Sequence, residues 1–87
     1  MRERYYQILR TFFCENVFRS RGQLGVSQEE MAHRLATSVR TYSDIELGKS
    51  CCGALTLSLF LIYICVDSKL FLAELQNAFE NNDKKIA

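Results

Sequence analysis

Residues 27–50 read Ser-Gln-Glu-Glu-Met-Ala-His-Arg-Leu-Ala-Thr-Ser-Val-Arg-Thr-Tyr-Ser-Asp-Ile-Glu-Leu-Gly-Lys-Ser, and this stretch decides the fold. Ser27 is an N-cap, and Glu30, three residues on, is spaced to reach back to the Ser27 amide and complete a capping box. Val26 before the cap and Met31 at the fourth helical position are placed for a hydrophobic staple. Met31, Ala32 and Leu35 supply the inward face, with Ala32 small where two helices must approach closely. Ala36 and Thr37 form a turn. Ser38 opens the next helix, whose inward residues are Tyr42 and Ile45. Gly48 closes it as a left-handed C-cap, with Lys49 just beyond. Two short capped helices therefore meet across a tight turn.

Working outward, residues 4–20 carry Ile8, Leu9, Phe12, Phe13, Val17 and Phe18 at helical intervals, and Gly22 and Gly25 are expected to break that helix. Downstream, a helix is expected over residues 54–65. There Leu55, Leu57, Leu59, Phe60, Leu61, Ile62, Tyr63 and Ile64 point around most of the cylinder, which predicts a helix buried on all sides. A fifth helix begins after Asp67 or Ser68 and carries Leu70, Phe71, Leu75, Ala78 and Phe79. The expected architecture is all-α: one five-helix domain over residues 1–80, followed by a polar tail, 81–87, that frays.

Composition narrows the function classes. The chain has 87 residues, 48% hydrophobic and 24% charged, with no proline, which fits a small folded domain rather than a disordered one. The net charge of +1 does not by itself announce a polyanion ligand. Arg2, Arg4, Arg10, Arg19 and Arg21 precede the two-helix stretch, while Glu29, Glu30, Asp44 and Glu46 lie within it. Cys14, Cys51, Cys52 and Cys65 contain no Cys-x-x-Cys spacing, and the single histidine, His33, is far from them in sequence, so no metal site or cofactor is expected. Adjacent cysteines meet disulfide geometry poorly, and no signal peptide is legible, so reduced thiols in a cytoplasmic protein are expected. The apolar run 53–66 is too short for a bilayer core that needs about 20 residues, so no membrane partner is expected. No nucleophile with an orienting base and no phosphate-cradling glycine loop is present, and the carboxylates have capping, solvent or ion-pair roles. An enzyme is not expected.

The chain resembles the lambda-repressor-like, Cro/cI-type helix-turn-helix family. The matching residues are Gln23-Leu24-Gly25-Val26-Ser27-Gln28-Glu29-Glu30-Met31-Ala32, Leu35, Ser38 and Ile45-Glu46-Leu47-Gly48-Lys49-Ser50, and the likeness spans about residues 10–79. The resemblance implies a five-helix bundle that binds double-stranded DNA as a homodimer and controls transcription in a bacterium or phage. It assigns Gln28, Lys49 and Ser50 to DNA phosphates, and Val39, Arg40, Thr41, Ser43 and Asp44 to base edges. Arg40 is the strongest of these, since a guanidinium forks onto guanine O6 and N7. Arg21 and Glu46 match a structural ion pair joining the first helix to the third. The surplus apolar surface, with Leu59, Phe60, Tyr63, Leu72 and Phe79, is expected to form the dimer contact.

These residues imply a sequence-specific regulator that places two copies of its third helix in major grooves about 34 Å apart on a pseudo-palindromic operator. The competing reading is a protein-interaction module, such as an antitoxin-like partner, that reuses the fold; Asp44, Leu47 and residues 55–64 motivate it. A redox sensor at Cys51 and Cys52 is a third reading, and it requires an electropositive, exposed setting for the thiols.

Overall fold

The computed structural model describes residues 2–86, with side chains described for residues 2–81. Its helices are α1 (Arg2–Leu24), α2 (Gln28–Arg34), α3 (Val39–Glu46), α4 (Ala54–Leu59) and α5 (Ser68–Ile86), and a π turn (Phe60–Ile64) continues α4. The fold is all-α with five helices, and no strand occurs among the described residues. α1 runs through Gly22 and stops only at Gly25, so one of its two expected breaks is absent. Residues 81–86, expected as a tail, continue α5; Ala87 lies outside the described residues.

The first three helices end in the same way. At each C-terminus one residue turns left-handed, and its own amide and the next one double back onto the last carbonyls. Gly25 (φ 68°) does this for α1, with Gly25 N donating to Gly22 O at 3.3 Å and Val26 N to Arg21 O at 3.4 Å. Gly48 (φ 75°) does it for α3, through Gly48 N to Ile45 O at 3.1 Å and Lys49 N to Asp44 O at 2.9 Å. α2 uses Ala36 (φ 54°), with Ala36 N to His33 O at 3.2 Å and Thr37 N to Ala32 O at 3.0 Å. This is the Schellman arrangement, which satisfies carbonyls that a helix end otherwise leaves open. Only at α2 is the left-handed position filled by a residue with a Cβ, and that costs the fold on the order of 1 kcal/mol.

The helix starts are equally explicit. Ser27 Oγ accepts from Glu30 N at 3.1 Å and Ser38 Oγ accepts from Thr41 N at 3.1 Å. The capping box is only half formed, because Glu30 turns along the helix to take Arg34 Nε at 3.1 Å, an i,i+4 pair, instead of returning to the Ser27 amide. Asp67 caps α5, its Oδ1 accepting from Leu70 N at 3.0 Å.

The core draws on every element. Phe13 and Val17 of α1, Met31 and Ala32 of α2 with Leu35 at its C-cap, Tyr42 and Ile45 of α3, Phe60 of the π turn, and Phe71 and Leu75 of α5 are buried together, and Leu57 and Leu59 of α4 pack against them. Val26 packs against this cluster from the α1–α2 turn. Phe60 is the centre of an aromatic chain: its ring meets Phe13 at 5.1 Å and Phe71 at 5.5 Å, and Phe71 meets Phe12 at 5.0 Å. Edge contacts of this kind add about 0.5–1.5 kcal/mol each beyond the area they bury.

The apolar run after residue 53 departs from expectation. The π turn closes with Cys65 N donating to Phe60 O at 2.8 Å, five residues back, so the backbone widens where the aromatic chain enters the core. The segment is not buried all round: Leu55, Ile62 and Tyr63 are exposed, Ile62 by 67% and Tyr63 by 74%. Phe60, expected on a dimer surface, is 1% exposed and belongs to the core. Phe79, expected on the same surface, is half-buried against the Tyr5 ring at 4.9 Å. Leu59 is half-buried against the core, whereas Tyr63 and Leu72 remain at the surface.

Candidate nucleic-acid interface

α3 is held from behind and open in front. Tyr42 and Ile45 are buried, which rotates Val39, Arg40 and Thr41 to solvent and leaves Ser43 and Asp44 half-buried at the edge. Thr41 is partly committed, since Ser38 Oγ donates to its hydroxyl at 2.9 Å. Lys49 lies exposed just past the Gly48 turn and Ser50 half-buried beside it, their amides both directed at Asp44 O, at 2.9 and 3.3 Å. Val39, Arg40 and Thr41 thus open α3, and Lys49 and Ser50 follow its far end.

A partly buried ion pair fixes α3 to the rest of the domain. Arg21 Nε donates to Glu46 Oε2 at 2.6 Å and Nη2 to Oε1 at 3.1 Å, a two-point contact between α1 and α3. Arg21 Nη1 also donates to Val26 O at 3.3 Å, and its guanidinium stands 5.8 Å over the Phe18 ring. Gln28 joins the cluster by donating Nε2 to Glu46 Oε1 at 3.0 Å, so α2 is tied in as well. The Glu46 side chain is 5% exposed and that of Arg21 24%. Burial alone would raise the Glu46 pKa; the hydrogen bonds from Arg21 and Gln28, with the Arg21 charge and the nearby Tyr42 hydroxyl dipole, outweigh it and hold the carboxyl below its ordinary value. The Tyr42 hydroxyl is buried against this cluster without a hydrogen bond of normal geometry, and burial followed by the Glu46 charge pushes its pKa well up. Pairing between Arg21 and Glu46, expected from the resemblance, is present, and the link from Gln28 is an addition that spacing did not reveal.

Two further contacts brace the site and carry no sequence signal. Thr56 of α4, itself buried, donates Oγ1 to Leu35 O at 3.1 Å and so occupies the carbonyl at the end of α2. Cys14 donates Sγ to Glu46 O at 3.0 Å and lies under Gly48, where a Cβ would meet the sulfur at 3.9 Å. Neither position could be found from a motif, since each depends on which side chain packing brings to an open carbonyl.

A helix-turn-helix family model matches residues 19–61, which takes in the end of α1, both short helices and the whole of α4. Residues 19–61 are a helix-turn-helix domain of the Cro/cI, lambda-repressor-like type. The helix-turn-helix is a DNA-binding unit of transcription regulators, and members of the family are usually not enzymes. No curated protein and no solved structure matches the chain.

The helix-turn-helix places the expected base-facing residues along one helix but not equally in the open. Val39, Arg40 and Thr41 are exposed, while Ser43 and Asp44 are partly covered. His33 is exposed on α2, as a surface residue. The four cysteines are free; burial, followed by its neighbour Cys51, pushes the Cys52 thiol up to about 12, the opposite of what a reactive sensor thiolate needs. Among the described residues no three His, Cys, Asp or Glu side chains gather as for a metal ion, and no helix is long and apolar enough to cross a membrane.

Proposed function

We propose that the domain is a sequence-specific regulator that binds a pseudo-palindromic operator as a homodimer, with α3 of each copy in the major groove. The observation that carries this reading is the orientation of α3: Tyr42 and Ile45 anchor it in the core while Val39, Arg40 and Thr41 face solvent together. Arg40 is the principal base reader and forks onto a guanine; Val39 packs on a thymine methyl; Thr41, Ser43 and Asp44 complete the readout at positions that offer a donor or acceptor. Gln28, Lys49 and Ser50 contact phosphates and fix the register. Only Lys49 and Arg40 bring full positive charge to these positions, so affinity falls with a shallow salt slope.

Self-association uses the apolar side chains that the fold leaves uncovered: Tyr63 and Leu72, together with Leu55 and Ile62. Phe60 and Phe79 are assigned to the core and to the α1–α5 contact instead. The same exposed residues, with exposed Leu47, favour a second reading in which the domain docks on a protein partner. The two readings separate in one experiment. Arg40→Ala and Tyr63→Asp are compared for duplex binding and for oligomeric state, both being surface changes that leave the core intact. A regulator loses base discrimination with Arg40→Ala while remaining a dimer. Duplex binding unaffected by Arg40→Ala sinks the regulator reading and leaves the docking module.

A further inference from the structure

Gln28 opens α2 and is half-buried, and its side chain does not hang free. One hydrogen of its Nε2 donates to Glu46 Oε1 at 3.0 Å. An amide nitrogen of this kind carries two hydrogens in a fixed plane. Once one is committed, the direction of the other is set by the position of the acceptor. That acceptor is itself immobile. Glu46 is gripped at both oxygens by Arg21, its backbone carbonyl takes Cys14 Sγ at 3.0 Å, and its side chain is almost wholly covered. Arg21 also cancels the carboxylate charge, so an anion approaching Gln28 meets a neutral pair behind it and not a bare negative group.

We propose that Glu46 is a positioning residue for DNA binding: through its Oε1 it holds the Gln28 amide so that the second Nε2 hydrogen is presented to a backbone phosphate. This rests on the reading of Gln28 as a phosphate ligand given above. The ion pair then has two separable effects. It ties α1 to α3, and it removes the rotamer freedom that Gln28 would otherwise lose on binding DNA. A residue that contacts no DNA thereby contributes to affinity at a fixed stability of the fold.

The test is a double-mutant cycle read in duplex affinity, using a duplex selected by the wild-type protein from a random library. Gln28→Ala is measured in the wild-type background and in Arg21→Met/Glu46→Met, where the ion pair is replaced as a unit by apolar side chains, so that no charge is left buried alone. Thermal unfolding of every variant accompanies the binding data. In the wild-type background Gln28→Ala is expected to weaken binding about tenfold, the value of one hydrogen bond to a charged group. In the double-methionine background the same change is expected to cost less than about twofold, because the amide is no longer aimed. Glu46→Gln keeps an oxygen at the acceptor position and is expected to retain most of the Gln28 effect. A free-protein readout stands beside the cycle: one of the two Gln28 side-chain amide hydrogens exchanges more slowly than the other in wild type, and the difference vanishes in the double-methionine variant. An equal loss from Gln28→Ala in both backgrounds overturns the positioning role and leaves the phosphate contact standing. No loss in the wild-type background removes the phosphate contact, and the proposal with it.

Discussion

The helix-turn-helix half of the molecule and the apolar segment that follows it are built on opposite terms. From Gly25 to Ser50 nearly every helix end has its own chemistry: Ser27 and Ser38 cap, Ala36 and Gly48 turn, and Glu46 gathers α1, α2 and α3 on one carboxylate. From Ala54 to Ile64 the order comes from tertiary contacts: Phe60 is driven between Phe13 and Phe71, Thr56 donates to Leu35 O, and Leu57, Leu59, Leu61 and Ile64 lean on the core, while Leu55, Ile62 and Tyr63 are left in water. A region specified by local caps and pairs satisfies itself. A region specified chiefly by packing fills the core with what fits and presents the remainder to solvent, which leaves an apolar surface open to self-association.

The contrast breaks most readily at Phe60. Phe60→Ala is expected to cost about 3–5 kcal/mol, seen as a drop in the unfolding midpoint, because the cavity would open at the centre of the aromatic chain. A change near zero would mean that the segment packs some other way.

Next in size is the ion pair. Arg21→Ala leaves the Glu46 carboxylate buried without its partner and is expected to cost about 2–4 kcal/mol, somewhat below a fully buried pair because Arg21 is a quarter exposed. The pair also has a pH signature. The Glu46 pKa is held below the ordinary value of 4.5, so its stabilisation is complete above that pH and is lost as acid titrates through the lowered folded-state pKa. Acid unfolding of wild type and of Arg21→Met/Glu46→Met checks this. The wild-type curve should carry a steeper loss below pH 4.5, and parallel curves would show that Glu46 is not linked to stability.

How much of this was legible follows the same division. The caps at Ser27 and Ser38 and the C-cap at Gly48 could be read from spacing because their contacts are local along the chain, and the inward Tyr42 and Ile45 because they recur at helical spacing among polar residues. The Arg21–Glu46 pair was legible only through the family resemblance, since nothing local connects α1 to α3. Phe60 was not legible as core. Eight apolar residues in a row offer no contrast from which to choose the inward one, and the π turn shifts the helical phase where it matters. Thr56 to Leu35 O and Gln28 to Glu46 stayed hidden because both join side chains to groups brought near by packing. Glu30 departs from the capping box that its spacing predicts for a simpler reason: Arg34, one turn on, competes for the same carboxylate.

Smaller changes sharpen the comparison. Ser38→Ala removes an acceptor for the Thr41 amide and is expected to cost about 1 kcal/mol in chemical denaturation, with no counterpart in α4, whose Gly53 start has no side-chain cap. Ala36→Gly acts in the other direction. Relief of the left-handed alanine is expected to raise stability by a little under about 1 kcal/mol, offset in part by the added freedom of glycine in the unfolded chain. Tyr63→Asp is expected to leave monomer stability within about 0.5 kcal/mol while abolishing concentration-dependent association in sedimentation. Unchanged association would move the dimer contact away from this segment.

Selection of bound sites from a random duplex library, run in parallel for wild type and Arg40→Ala, tests the central claim most directly. The account predicts an enriched two-fold motif whose half-sites each blur at one position, a guanine, in the variant. Folded protein that enriches no motif at micromolar concentration, or a motif that Arg40→Ala leaves unchanged, would contradict the assignment of α3 as the reading helix.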